Sequence, residues 1–140
     1  PYNDVLLRTG TLEPRLRELA ICRVGWRTAA EYEWLQHVRL AHGLGITDSE
    51  IDAIADRGTV EWTQLEADVL AATDELLDGY AVSDATWGRL SEHFDRQQLI
   101  ELVFVVGTYT CLAMAFKSFG VQLDADLVDY PAPRVPRTEG

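Results

Sequence analysis

Residues 102–116 form the longest stretch of the chain without a charge, held between Glu101 and Lys117. Such a stretch needs an apolar environment. It is shorter than the ~20 residues that cross a bilayer, so it reads as a central core helix rather than a membrane span. Residues 103–110 are rich in β-branched and aromatic types, which would also suit a buried strand. No turn signal interrupts them before Gly120, and no other segment offers a partner strand, so helix is the expectation. Asp95-x-x-Gln98 opens this sixth and longest helix as a capping box, and Gly120 ends it.

The remaining punctuation is also helical. A first helix starts near Glu13-Pro14, with Leu12, Leu16, Leu19, Ala20 and Val24 on one stripe. Glu18 lies on a second stripe with Ile21, Cys22 and Gly25, which suggests partial burial. A second helix runs over about 29–42 and stops at Gly43 or Gly45. Thr47-x-x-Glu50 caps a short third helix. Residues 61–77 give a fourth, broken by Gly79, and Ser83 or Asp84 caps a fifth that reaches Phe94. The expected fold class is all-α, one domain of 140 residues. Residues 1–11 form an N-terminal arm, and the proline-bearing tail, 122–140, is expected to be extended or disordered, or an arm exchanged between subunits.

Net charge is −11, which excludes the basic footprint that nucleic acid or an anionic membrane requires. The charge is uneven. Arg8, Arg15, Arg17, Arg23 and Arg27 crowd the first thirty residues, while 61–95 carries nine acids and only Arg89. The arginines could line an anion site or pair with acids at the surface. Cys22 and Cys111 both sit in apolar runs and read as buried free thiols of a reducing, cytoplasmic compartment. No export signal is apparent at the N-terminus.

Among three histidines, His93 reads as a surface residue and His42 as a partner for the carbonyls ending the second helix. His37 lies mid-helix beside the apolar stripe Ala30, Trp34, Val38 and Ala41, with Glu33 one turn earlier on the same face. Such a pair is either a structural helix contact or an acid–base unit. In the second case the carboxylate fixes the imidazole tautomer and the other ring nitrogen moves a proton. Metal sites lack support: there is no Cys-x-x-Cys, no His-Glu-x-x-His and no repeated Glu-x-x-His.

The string Ala30-Glu31-Tyr32-Glu33-Trp34-x-x-His37-x-x-x-Ala41-x-x-x-Gly45, followed by Thr47-Asp48-x-Glu50-Ile51, resembles the core of the carboxymuconolactone decarboxylase / alkylhydroperoxidase-D superfamily. Arg15-Leu16-Arg17-Glu18-Leu19-Ala20 upstream and Leu99-Ile100-Glu101-Leu102-Val103 through Tyr109 downstream extend the resemblance over residues 12–121. It implies an alkylhydroperoxidase-D-like bundle of about six helices and a symmetric homo-oligomer, often a trimer or a multiple.

In the peroxidase branch a Cys-x-x-Cys precedes the histidine, and a glutamate lies nineteen residues before it. Glu18 stands nineteen residues before His37, but Ala30 and Glu33 occupy the cysteine positions. Peroxide reduction through a thiolate loses its chemistry without them. The decarboxylase branch carries Glu-x-x-x-His, which Glu33 and His37 match. The resemblance therefore implies a cofactor-independent decarboxylase, lyase or isomerase acting on a small carboxylated lactone or oxo-acid. His37, Glu33 and Glu18 would be catalytic. Arg15 or Arg23 would hold a substrate carboxylate, Tyr32 and Trp34 would wall the pocket, and Tyr109 would add a hydroxyl. No metal or organic cofactor is implied. The chain is longer between its motifs, over 62–94, than the compact decarboxylases, so carboxymuconolactone itself is not the expected substrate.

Overall fold

The computed structural model describes residues 10–137. Its elements, in order, are α1 (Pro14–Arg27), α2 (Glu31–Gly43), α3 (Asp48–Ile54), α4 (Gln64–Gly79), α5 (Asp84–Leu90), α6 (Arg96–Phe119) and α7 (Ala125–Val128), with no strand among the described residues. The expected all-α class is what the structure has. The stretch 103–110 is helical throughout, because it lies inside a 24-residue helix with a capping box at Asp95 and a left-handed Gly120 at its end.

The centre of the bundle is α1, not α6. Helix α1 packs against α2, α6, α4 and α3. Leu16, Leu19, Ala20, Ile21, Cys22 and Val24 are all buried, so both stripes seen in the sequence face protein. Helix α6 is long and apolar enough to cross a membrane by length and composition alone, yet it packs on α1, α2 and α4. Its other side leaves Ile100, Phe104 and Met114 exposed. Absence of charge marked that helix without showing which of its faces is covered. Cys111 lies on the open side, contrary to its expected burial, while Cys22 is buried as expected.

Caps position the smaller helices. Thr47 with Glu50, and Thr63 with Glu66, form capping boxes that open α3 and α4. The second of these puts the start of α4 at Gln64, later than the expected Glu61. Arg15 joins the two boxes. Its Nε donates to Glu66 Oε2 at 2.7 Å, and its guanidinium also pairs with Glu50. The same glutamate that satisfies a helix N-terminus thereby anchors that helix to α1. Arg23 does the equivalent lower down, donating to Asp74 at 2.8 Å, Asp56 at 2.9 Å and the Ile54 carbonyl at 2.6 Å. Helix α5 ends at Leu90, before the expected Phe94, in a turn whose backbone bonds return to Leu90 and Arg89.

The tail does not extend away from its own subunit. Leu127 of α7 is fully buried, and Trp34 donates its indole N–H to the Pro133 carbonyl at 2.7 Å. The Tyr130 hydroxyl lies 2.6 Å from His42 Nδ1, whose Nε2 is 2.9 Å from Asp48. His42 therefore holds the tail and α3 to α2 rather than capping helix carbonyls. The part of the expected N-terminal arm at 1–9 lies outside the described residues.

Helices α1 and α2 approach most closely at Gly25. A Cβ there would sit 3.0 Å from Trp34 Cα and 3.1 Å from Trp34 N, both backbone atoms that cannot swing aside. Gly25→Ala gains about 1 kcal/mol of helix propensity but forces overpacking that costs about 1–3 kcal/mol. The expected net result is a lower midpoint in urea denaturation. An unchanged or higher midpoint would mean the two helices can separate freely.

A candidate acid–base site between three helices

Burying α1 on several sides brings Glu18 into the interior, where it is 1% exposed. A carboxylate in that position requires a partner. It receives one from α2: His37 Nδ1 lies 2.8 Å from Glu18 Oε2. The other Glu18 oxygen lies 3.5 Å from Arg17 Nε, one of the arginines expected to line an anion site or to pair with surface acids. The acid it meets is buried and adjacent in the chain, a contact that helical spacing rules do not read. With Glu18 accepting from Nδ1–H, the imidazole is fixed in one tautomer. The ring's other nitrogen is then the one able to exchange a proton with a ligand.

The partner of His37 is thus Glu18, across nineteen residues and two helices, and not Glu33 on its own helix. Glu33 is 2% exposed, and neither of its carboxyl oxygens has a hydrogen-bond partner. Burial pushes its carboxyl up to about 8, so it is a neutral acid at pH 7. One buried carboxyl in this cluster is consequently held by a ring nitrogen, and the other is an unpartnered proton donor.

Tyr109 of α6 closes the group, with its ring edge-on to His37 at 4.9 Å between centroids. Burial pushes its phenol up to about 12, with the charges of Glu18 and Glu33 adding to the effect. It is a hydroxyl donor and not a phenolate. Cys22, one turn beyond Glu18 on α1, is fully buried. Burial first, then the same two carboxyls, push its thiol well above the usual range. That is the opposite of what activates a cysteine nucleophile.

The structure brings Glu18, Glu33, His37 and Tyr109 together and leaves the other expected residues elsewhere. Arg15 and Arg23 do not reach the cluster, because their guanidiniums are committed to Glu50 and Glu66 and to Asp56 and Asp74. The acids they meet come from α3, α4 and the turn after α3, pairings that helical spacing within α1 cannot reveal. Trp34 is fully buried against Trp26, at 5.2 Å between ring centroids, and against the tail. Tyr32 packs edge-on to Phe116 at 5.4 Å and lines a separate surface cleft with Ala30, Lys117 and Leu123. Among the described residues no cluster of His, Cys, Asp and Glu has the makings of a metal site.

The carboxymuconolactone decarboxylase family model matches residues 2–75, more than half of the chain. The chain belongs to that family. Among solved structures it is similar to a protein of unknown function from Agrobacterium tumefaciens, proposed to be the antioxidant defence protein AhpD. That likeness has a TM-score of 0.78 and 17% identity, and covers 88% of this chain and 86% of the other. At that identity it establishes the shared AhpD-like fold. No curated protein matches the chain.

The neutral state of Glu33 makes stability depend on pH. In the unfolded chain a glutamate ionises near 4.5, whereas folded Glu33 keeps its proton to about 8. This contribution is therefore fully present below about pH 4.5 and lost as pH rises towards 8, by about 1.4 kcal/mol per pH unit and about 5 kcal/mol in all. Glu33→Gln has no proton to lose. Urea denaturation at a series of pH values should show a shallower fall between pH 5 and 8 in the variant. Parallel curves for the two proteins would place the Glu33 carboxyl in water.

Proposed function

We propose that this member of the carboxymuconolactone decarboxylase family is a cofactor-independent acid–base enzyme, a decarboxylase or an isomerase of small lactones or oxo compounds. The observation that carries this reading is the contrast between two buried carboxyls around one histidine. Glu18 is paired with His37 Nδ1 at 2.8 Å, and Glu33 has no partner and keeps its proton. Divergent environments of this kind divide acid from base within one site.

The roles follow from the contacts. Glu18 holds Nδ1–H and steadies the imidazolium that forms when the ring takes up a proton. The second nitrogen of His37 is the group that removes a proton from carbon, or returns one to the carbanion left by carbon dioxide. Glu33 donates to the oxygen on which charge develops, and Tyr109 packs edge-on against the imidazole. Each group acts on a carbonyl compound without a metal or an organic cofactor. General acid–base assistance of this type contributes on the order of 10²- to 10⁴-fold. His37→Ala is expected to lower turnover by that order on any lactone or β-oxo acid the enzyme accepts, with the helical circular dichroism unchanged. Full retention of turnover would remove the reading.

A thiol-dependent peroxidase is the second reading, favoured by the AhpD-like neighbour and by the glutamate–histidine pair. It requires that peroxide consumption with a thiol reductant be lost in Cys22→Ser. The raised thiol of buried Cys22 weighs against it.

We also propose a homo-oligomer, a trimer or a multiple of it, assembled through the open side of α6. Phe104 is 56% and Met114 60% exposed there, on a helix long enough to span the bundle. Phe104→Asp should lower the mass measured by light scattering. An unchanged mass would remove α6 from the interface.

A further inference from the structure

We infer that this site takes an uncharged carbonyl compound and moves a proton between two of its carbons, rather than expelling carbon dioxide from a carboxylate. The inference rests on the acid–base reading above and narrows its substrate class.

A carboxylate substrate needs a cation to hold it. On α1 and α2, which supply the histidine and both carboxyls, the basic side chains are committed, as is Lys117 near the end of α6, which donates to the Thr28 carbonyl. On α1, Arg15 is paired with Glu50 and Glu66, Arg23 with Asp56 and Asp74, and Arg27 with Asp74 and Asp78. On α2, Arg39 is paired with Asp126. Among the described residues Arg17 is the cation beside the cluster, and it lies against Glu18, the acid already present. The fixed negative charge of the site is thus Glu18, within 2.8 Å of the histidine. A substrate carboxylate brought to His37 would face that charge in a poorly screened interior.

What the site offers instead is a neutral donor. Glu33, with both oxygens unpartnered and 2% of its surface exposed, is a buried polar group that lacks an acceptor. A ligand oxygen is the missing acceptor. Glu33 and His37 are one helical turn apart on one face, with Cβ atoms ~5–6 Å from each other. A carbonyl oxygen on Glu33 would therefore bring its α-carbon towards the imidazole.

The proton inventory closes without a co-reactant. His37 takes a proton from the α-carbon of a β,γ-unsaturated carbonyl compound while Glu33 protonates the carbonyl oxygen, giving a dienol. The imidazolium then delivers its proton to the γ-carbon, and the Glu33 carboxylate recovers the enol proton. The carbon–carbon double bond has moved from β,γ to α,β, and no proton, electron or carbon dioxide is gained or lost.

The test uses the full chain in deuterated water and two five-membered β,γ-unsaturated lactones, one bearing a methyl group and the other a carboxymethyl group at the same carbon. Proton NMR follows double-bond migration and deuterium uptake at the γ-carbon. The expected result is isomerisation of the methyl lactone with kcat/KM at least about tenfold above that of its carboxymethyl counterpart. Glu33→Gln should lose most of that rate, and His37→Ala nearly all of it. Preference for the carboxymethyl lactone, or release of carbon dioxide from it, overturns the inference while the acid–base reading stands. No double-bond migration in either lactone by the folded protein overturns both.

Discussion

Helix α1 carries Glu18 into the centre of the bundle, and a carboxylate there can persist only if another helix supplies a donor. His37 on α2 supplies it at 2.8 Å, and the nearness of the two helices is set by Gly25, whose missing side chain lets the Trp34 backbone come within contact distance. Polar pairing and backbone approach therefore specify the same α1–α2 arrangement. The other helices are fitted around it. Arg15 and Arg23 fasten α4, α3 and the turn after α3 to α1, Arg15 through the two capping-box glutamates and Arg23 through Asp74 of α4 and Asp56 of the turn. Although burial alone would push the Glu66 carboxyl up, the Arg15 hydrogen bond and the Thr63 N–H hold it below its ordinary value.

The two buried glutamates illustrate how environment divides labour between identical side chains. Glu18 is met by a ring nitrogen and a guanidinium. Glu33, fifteen residues later in the chain and one turn from the same histidine, meets neither. A structural role alone would favour an apolar residue at position 33, since a carboxyl without a partner weakens the fold. Glu33 is therefore a local departure from stability beside a histidine that is itself committed to Glu18.

Much of the fold could be read from local signals, because those signals are themselves local interactions. Asp95 and Gln98, Thr47 and Glu50, and Gly120 act within four residues, and each marks a real helix end. The Thr63–Glu66 box is equally local; apolar periodicity from Glu61 onward obscured it. At the site, helical spacing gave the Glu33–His37 face, while the Glu18–His37 contact came only through family resemblance, since no periodicity links residues nineteen apart on different helices. The destinations of Arg15 and Arg23 were hidden for the same reason. An arginine's charge is visible in a sequence, but the acid that neutralises it is chosen by tertiary packing. The tail misled for a further reason. Its prolines signal extended backbone, which is correct, but they do not reveal that Leu127 is buried or that the Pro133 carbonyl is held by Trp34 of α2.

Residue 33 also bears on why one fold can host both of the family's chemistries. The Glu18–His37 pair joins α1 to α2 in the buried centre of the bundle. The resemblance to the peroxidase branch places a cysteine where Glu33 stands. A thiol there would meet the same burial that pushes the Glu33 carboxyl up, one turn from the histidine paired with Glu18. It would become a thiolate only by passing its proton to the histidine as it reacted. A carboxyl in that place needs no such transfer, because its useful form is the neutral one that burial already favours. The departure from the peroxidase branch thus falls on Ala30 and Glu33 together, at the start of α2, while Gly25 and the Glu18–His37 pair hold α1 against α2.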